Sequence, residues 1–316
     1  MAVNTYSGRE VIAVNGVLGC GECDRYAEPG RWIIECLEDI ALNKVKRIEN
    51  PLMFKPLCVE YGIYGVHFMD KIFGAEVYFT DGQWYSKRLN IPVGSLEFPD
   101  IESNDTWLLV KQAHRAFLDA GQGLALYGLP TVASPLVSAV NLFGEEILVT
   151  LLCSPNDAVH DLGVIAEVQK YIHRYFIDNT PPELLQPVIS WNRTQAPGRG
   201  QICGCTNQLI SSELYARHIA PLDDAVLGVY KKSGMMHLCG SHTQHIEAFQ
   251  GMKNLSAVQI NDRAARDLKI YYDELREDQI IYLNPCDSMS VDMAMEITGG
   301  RRLVIADNID KAEYII

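Results

Sequence analysis

The second half of this chain alternates strand and helix so regularly that few folds can accommodate it. Short runs rich in apolar and β-branched residues stand at 234–239, 257–261, 279–284 and 303–306, with a helical pattern over 211–232 ahead of the first and another over 264–275 between the second and third. Strands joined through helices predict a parallel sheet, because a parallel neighbour needs a long crossover whereas an antiparallel one needs only a tight turn. The first half keeps the same rhythm. Ile33, Leu37, Ile40, Ala41 and Val45 recur at helical spacing from Pro29 and run into Lys44, Lys46 and Arg47, which suit the negative end of a helix dipole. Strands are expected over 54–60, 123–129 and 187–191, helices over 106–120 and 135–152, and a long helix opened by a Ser154 cap and Pro155 that reaches Phe176. Residues 76–85 form an aromatic excursion suited to covering one end of the molecule. With at least seven strands in one unit, the expectation is a single-domain (β/α)8 TIM barrel over 30–316, preceded by an extension over 1–29.

Composition narrows the partners. A net charge of −13 over 316 residues argues against a nucleic-acid face, which needs a concentrated basic patch. The sequence has no apolar run of membrane-spanning length and no basic-then-apolar leader, so a cytosolic protein is expected. Nine cysteines, odd in number and irregular in spacing, read as free thiols and metal ligands rather than a disulfide framework. Cys20 and Cys23 have the spacing of a redox pair or half a zinc site, although no second such pair answers them.

The densest chemistry lies in Met236-His237-Leu238-Cys239-Gly240-Ser241-His242-Thr243-Gln244-His245. On a strand, His237 and Cys239 share one face, and Gly240 breaks the strand so that the pair sits at its mouth. Imidazole and thiolate together suit zinc, with an open fourth position for catalysis. The bland alternative is a buried strand with an apolar Cys239 and a satisfied His237. Against it, Cys58 and Glu60, Cys203 and Cys205, His237 and Cys239, Asn261 and Asp262, and Asn284, Cys286 and Asp287 all fall at expected strand ends, where a barrel places its chemistry. Cys286 is the expected third metal ligand, with Cys203 and Cys205 in reserve. His242 and His245 are expected to support the site or lie on the surface. The glycine-rich stretch 195–206 lacks the lysine of a phosphate loop and reads as a long active-site loop.

The order of these elements, with His237-Leu-Cys239-Gly-Ser-His-Thr, Ser256-Ala-Val-Gln-Ile-Asn-Asp262 and Tyr282-Leu-Asn-Pro, resembles the uroporphyrinogen decarboxylase superfamily from about residue 30 onward. Within it, the H-x-C-G segment resembles the branch of zinc-dependent corrinoid methyltransferases. That resemblance implies zinc held by His237, Cys239 and a distal cysteine. No cysteine stands in 304–308, so Cys286, one strand earlier, takes that place. It further implies methyl transfer between a corrinoid (methylcobalamin) on a partner protein and a thiol-like or other small molecule. From the chemistry of such a site, Glu60 or Asp262 is expected to position the acceptor or take up its proton. Decarboxylation of uroporphyrinogen is the runner-up. Residues 51–70 contain no arginine, and a substrate with many carboxylates needs guanidinium forks. A non-catalytic zinc or corrinoid-partner protein is the third reading.

Overall fold

The computed structural model describes residues 13–14, 16–45, 53–121, 123, 125–186 and 194–306. Eleven of its strands are parallel: β1 (Ala13–Val14), β2 (Val17–Leu18), β3 (Met53–Phe54), β4 (Leu57–Glu60), β7 (Leu126–Gly128), β8 (Leu185–Gln186), β9 (Gly200–Cys203), β10 (Gly234–Leu238), β11 (Leu255–Ile260), β12 (Ile280–Leu283) and β13 (Leu303–Ala306). The other two, β5 (Val77–Thr80) and β6 (Gln83–Ser86), form an antiparallel hairpin. One sheet runs β3-β1-β13-β12-β11-β10-β9 and the other β2-β4-β7-β8. β1 and β2 belong to one stretch of chain, as do β3 and β4, so these two passes take part in both sheets and link them.

The parallel α/β architecture expected from the alternation is therefore present. Part of 1–29 contributes to it, since β1 and β2 fall within the stretch read as an extension. The array ends at β8 and β9, and no ladder joins these two among the described residues. They are tied through the chain ahead of β9, where Gly198 N–H donates to Leu185 O at 2.8 Å and Gln186 Nε2 to Gln195 O at 3.0 Å. The strand expected over 187–191 lies outside the described residues.

One face of the larger sheet gathers Val14, Met235, Ala257, Tyr282 and Val304, contributed by β1, β10, β11, β12 and β13. The alternate residues Ile202, Met236, Val258, Ile281 and Ile305 pack outward under the helices. This two-sided burial is what a parallel sheet covered by crossovers requires.

Three helical expectations change in detail. The stretch 135–152 is two helices, Pro135–Phe143 and Glu146–Cys153, bent by 113° where Gly144 takes φ 70° against the Arg88 side chain. No single described helix is long and apolar enough to cross a membrane. The helix expected over 211–232 starts at Ser212–Leu214, widens into a π-turn at Tyr215–Ile219 and resumes over Ala220–Leu227, because Pro221 has no N–H to donate. Ser154 stands at its cap position without a side-chain capping bond, and the helix behind it runs Pro155–Asn179. The aromatic excursion is the β5–β6 hairpin, turned by Asp81-Gly82 with φ 50° and 77°. Its Trp84 meets the edge of Tyr64 at 5.1 Å and of Tyr26 at 6.0 Å.

Close approach of β9 and β10 depends on Gly234, where a Cβ would stand 2.5 Å from Gly200 O. Gly234→Ala should lower the unfolding free energy by about 1–3 kcal/mol through overpacking. Gly163→Ala, in the long helix where a Cβ meets nothing within 4 Å, should instead raise it by about 0.5–1 kcal/mol. Urea titration of both variants checks the pair, and equal stability in the two would refute this account of the strand spacing.

Candidate metal centre

Parallel register brings the site together. Cys203 on β9 pairs with His237 on β10, which pairs with Gln259 on β11. These residues end their strands on the same edge of the sheet, and the period of two sets them on the enclosed face with Met235 and Ala257. Just past the strand ends, the turns carrying Cys205 and Cys239 bring two more thiols alongside. His237 Nε2 lies 2.9 Å from Cys239 Sγ, and Cys203 Sγ lies 3.3 Å from Cys205 Sγ. The ligand atoms of Cys203, Cys205 and His237 all fall within 4.8 Å of one another. His237 and Cys203 are buried, while Cys205 and Cys239 are half-buried.

The imidazole is prepared for ligation. Its Nδ1 bonds to Gln259 Oε1, whose Nε2 donates to Asn284 Oδ1, whose Nδ2 donates to Ala306 O at 2.9 Å. Because a carbonyl-type oxygen only accepts, Nδ1 carries the proton and Nε2 presents its lone pair to the thiols, as in metal-bound histidines steadied from behind. Hydrogen bonds with Cys203 and Cys239, together with burial, push the Cys205 thiol far above the usual thiol range. Crowded thiols cannot ionise together without a cation among them. Two sulfurs and one imidazole nitrogen in mutual reach, with Cys239 Sγ beside the nitrogen, suit zinc, whose tetrahedral ligands stand roughly 3.3–3.8 Å apart.

The turn bearing Cys203 and Cys205 is braced from two sides. His242 bridges Gly240 O at 2.6 Å and Gly204 O at 3.0 Å, and His245 Nε2 reaches Asn207 O at 2.9 Å. Both histidines are fully buried, and burial pushes His245 down to about 4. They support the turn rather than line the surface. Beneath it, the fully buried Asp223 accepts from Ser134 Oγ at 2.8 Å, Tyr215 OH at 2.9 Å and Asn207 Nδ2 at 3.3 Å. Ser134 N–H in turn donates to Cys203 O at 2.8 Å. Burial raises the Asp223 carboxyl to about 7 despite these donors. Nothing local in the sequence marked Asp223. Gln259 stood within a motif quoted for the family resemblance, two residues from Ala257 on the same face, and it had no assigned role.

The remaining sequence candidates sit around this group. Cys286 Sγ contacts Ser288 Oγ at 3.2 Å and Asp262 O at 4.0 Å, outside the set of mutually close ligand atoms. Asp262 is exposed at the start of the turn after β11, with φ 47°. Glu60 ends β4 and lines a cavity of 580 Å³ with Cys20, Cys23, Arg25, Tyr26 and Trp32, at the same end of the parallel strands as the metal group.

A structure built this way is found in other proteins. A methyltransferase from Methanosarcina mazei superposes with a TM-score of 0.66 at 10% sequence identity, covering 95% of this chain and 89% of that one. At that identity the likeness is one of fold. No family model matches the sequence, and no curated protein matches it either.

Proposed function

We propose that the chain is a zinc-dependent methyltransferase on a closed (β/α)8 barrel of the uroporphyrinogen decarboxylase type. It would move a methyl group between a corrinoid carried by a partner protein and a thiol-like small molecule. The observation that carries this reading is the gathering of Cys203, Cys205 and Cys239 around the His237 imidazole. A fold shared with a methyltransferase from Methanosarcina mazei supports it.

In this reading His237, Cys203 and Cys205 would hold the metal, with Cys239 beside them. A zinc ion there would supply a charge that favours the thiolate form of a thiol substrate. The other steps belong to the chain itself. Gln259 and Asn284 fix the imidazole, and the strand walls exclude water from the thiols. Glu60, on the cavity wall, or the exposed Asp262 positions the small molecule and takes up its proton.

The test is demethylation of free methylcobalamin by a panel of thiols with zinc-loaded and zinc-stripped protein. Methyl transfer is expected only with the loaded form, falling at least about a hundredfold in Glu60→Gln. Carbon dioxide release from uroporphyrinogen by the stripped protein would overturn the proposal in favour of a decarboxylase. Metal retention without transfer to any thiol would point to a non-catalytic partner protein.

A further inference from the structure

Cys20 and Cys23 take no part in the metal group, yet they line the 580 Å³ cavity at the ends of β2 and β4. Residues 19–23 lie pressed onto the helix Pro29–Asp39. Cys20 N–H donates to Asp39 Oδ2 at 3.0 Å, while the N–H groups of Glu22 and Cys23 both donate to Glu35 Oε2 at 2.8 Å. Glycines allow that approach, since a Cβ on Gly19 would stand 2.2 Å from Cys36 O and one on Gly21 2.6 Å from the Trp32 ring. The two thiols are thus held differently. Cys20 is exposed to the cavity, whereas Cys23 is half-buried, its thiol donating to Glu28 O at 3.9 Å and its N–H held by the Glu35 carboxylate.

We propose that this cavity is a thiol–disulfide exchange site that reduces a small, peptide-like disulfide bearing carboxylate and ammonium groups, with Cys20 the attacking sulfur and Cys23 the resolving one. The spacing and the unequal exposure define the two roles, because the accessible sulfur meets the substrate and the sheltered one closes the ring. Burial and the Glu35 carboxylate both raise the Cys23 thiol above its usual range, which keeps it protonated until the second step. Arg25 selects the carboxylate. Its guanidinium lies 5.4 Å from the centre of the Tyr26 ring and forms no salt bridge among the described residues. Asp24 and Glu60 in the same lining match an ammonium group, and Tyr26 and Trp32 provide apolar walls.

The balance is a two-electron exchange. Cys20 Sγ attacks one sulfur of R–S–S–R, forming Cys20–S–S–R and expelling RS⁻, which takes the proton Cys20 gave up. Cys23 Sγ then attacks Cys20 Sγ and expels the second RS⁻, with the Cys23 proton passing by Glu35 to the departing sulfur. The disulfide leaves as two thiols, and Cys20 and Cys23 become a disulfide. This site stands whether or not the metal group transfers methyl groups.

The experiment treats the zinc-loaded full chain with glutathione disulfide, quenches in acid, alkylates the remaining thiols and maps the peptides by mass. One Cys20–Cys23 disulfide per chain and two released glutathiones are expected. Cys23→Ser should accumulate glutathione on Cys20. Arg25→Ala should slow the reaction with glutathione disulfide about tenfold, the loss of one charge-assisted contact, and leave that with bis(2-hydroxyethyl) disulfide unchanged. The exchange site is overturned if Cys20 and Cys23 both remain alkylatable, if oxidation is confined to Cys203, Cys205 or the exposed Cys153, or if glutathione settles on Cys23. Equal slowing of both disulfides in Arg25→Ala would overturn the carboxylate assignment.

Discussion

Zinc added to the stripped protein should bind at about one ion per chain, and His237→Ala or Cys203→Ser should weaken that binding by more than about a hundredfold. The figure follows from the 10- to 100-fold typical when an outer partner is lost, which a direct ligand should exceed. Gln259→Leu is such an outer loss, because it removes the acceptor that fixes Nδ1–H. It should cost about 10- to 100-fold and leave a bound stoichiometry near one. Cys286→Ser should change affinity little, since its thiol lies outside the close group. The fold should survive each change, because the parallel sheet buries its apolar residues without help from a metal. Competition against a chromophoric chelator, with elemental analysis, gives both numbers. Loss of zinc in Cys286→Ser with retention in Cys203→Ser and Cys205→Ser would restore the ligand set implied by the family resemblance.

Asp223→Ala should be the most destabilising single change near the site, at several kcal/mol. Three donors, from Ser134, Tyr215 and Asn207, converge on this buried carboxyl, and each buried group left unpaired costs about 1–3 kcal/mol. The pH dependence has a definite sign. The folded carboxyl titrates at about 7, above the value near 4 of an unfolded aspartate. Below about 4 both states hold the proton, so the contribution is fully present there. Between about 4 and about 7 only the folded state holds it, so this group's contribution falls as pH rises and levels off above 7. Asp223→Asn removes the titration. The difference in unfolding free energy between wild type and Asp223→Asn, measured from pH 4 to 8, should therefore shrink with rising pH. A flat difference would mean that Asp223 stays ionised throughout. Because Asn207 and Ser134 also hold the turn of Cys203 and Cys205, Asp223→Ala should weaken zinc binding as well.

Much of the fold was legible because alternation is local. The spacing of Ile33, Leu37 and Ile40 marks a helix, and the runs at 234–239, 257–261 and 279–284 became β10, β11 and β12. The helices that differed did so at single residues, Gly144 and Pro221, whose effect depends on what packs beside them. β1 and β2 escaped notice because two-residue strands carry no periodicity.

By itself the sequence determined that the strands would be parallel, that polar residues would gather at their ends, and that His237 and Cys239 would share a face. Those properties follow from period and order along the chain. Which other thiols meet the histidine was decided by sheet order and register. β10 lies between β9 and β11, so Cys203 and Gln259 are one strand spacing away, about 4.8 Å, whereas Cys286 follows β12, two spacings off. The tautomer of His237 was likewise set by Gln259, 22 residues away in sequence, and the raised pKa of Asp223 by burial, against hydrogen bonds reaching as far as Ser134, 89 residues away. Burial and hydrogen bonding over such separations exist only once the chain has folded.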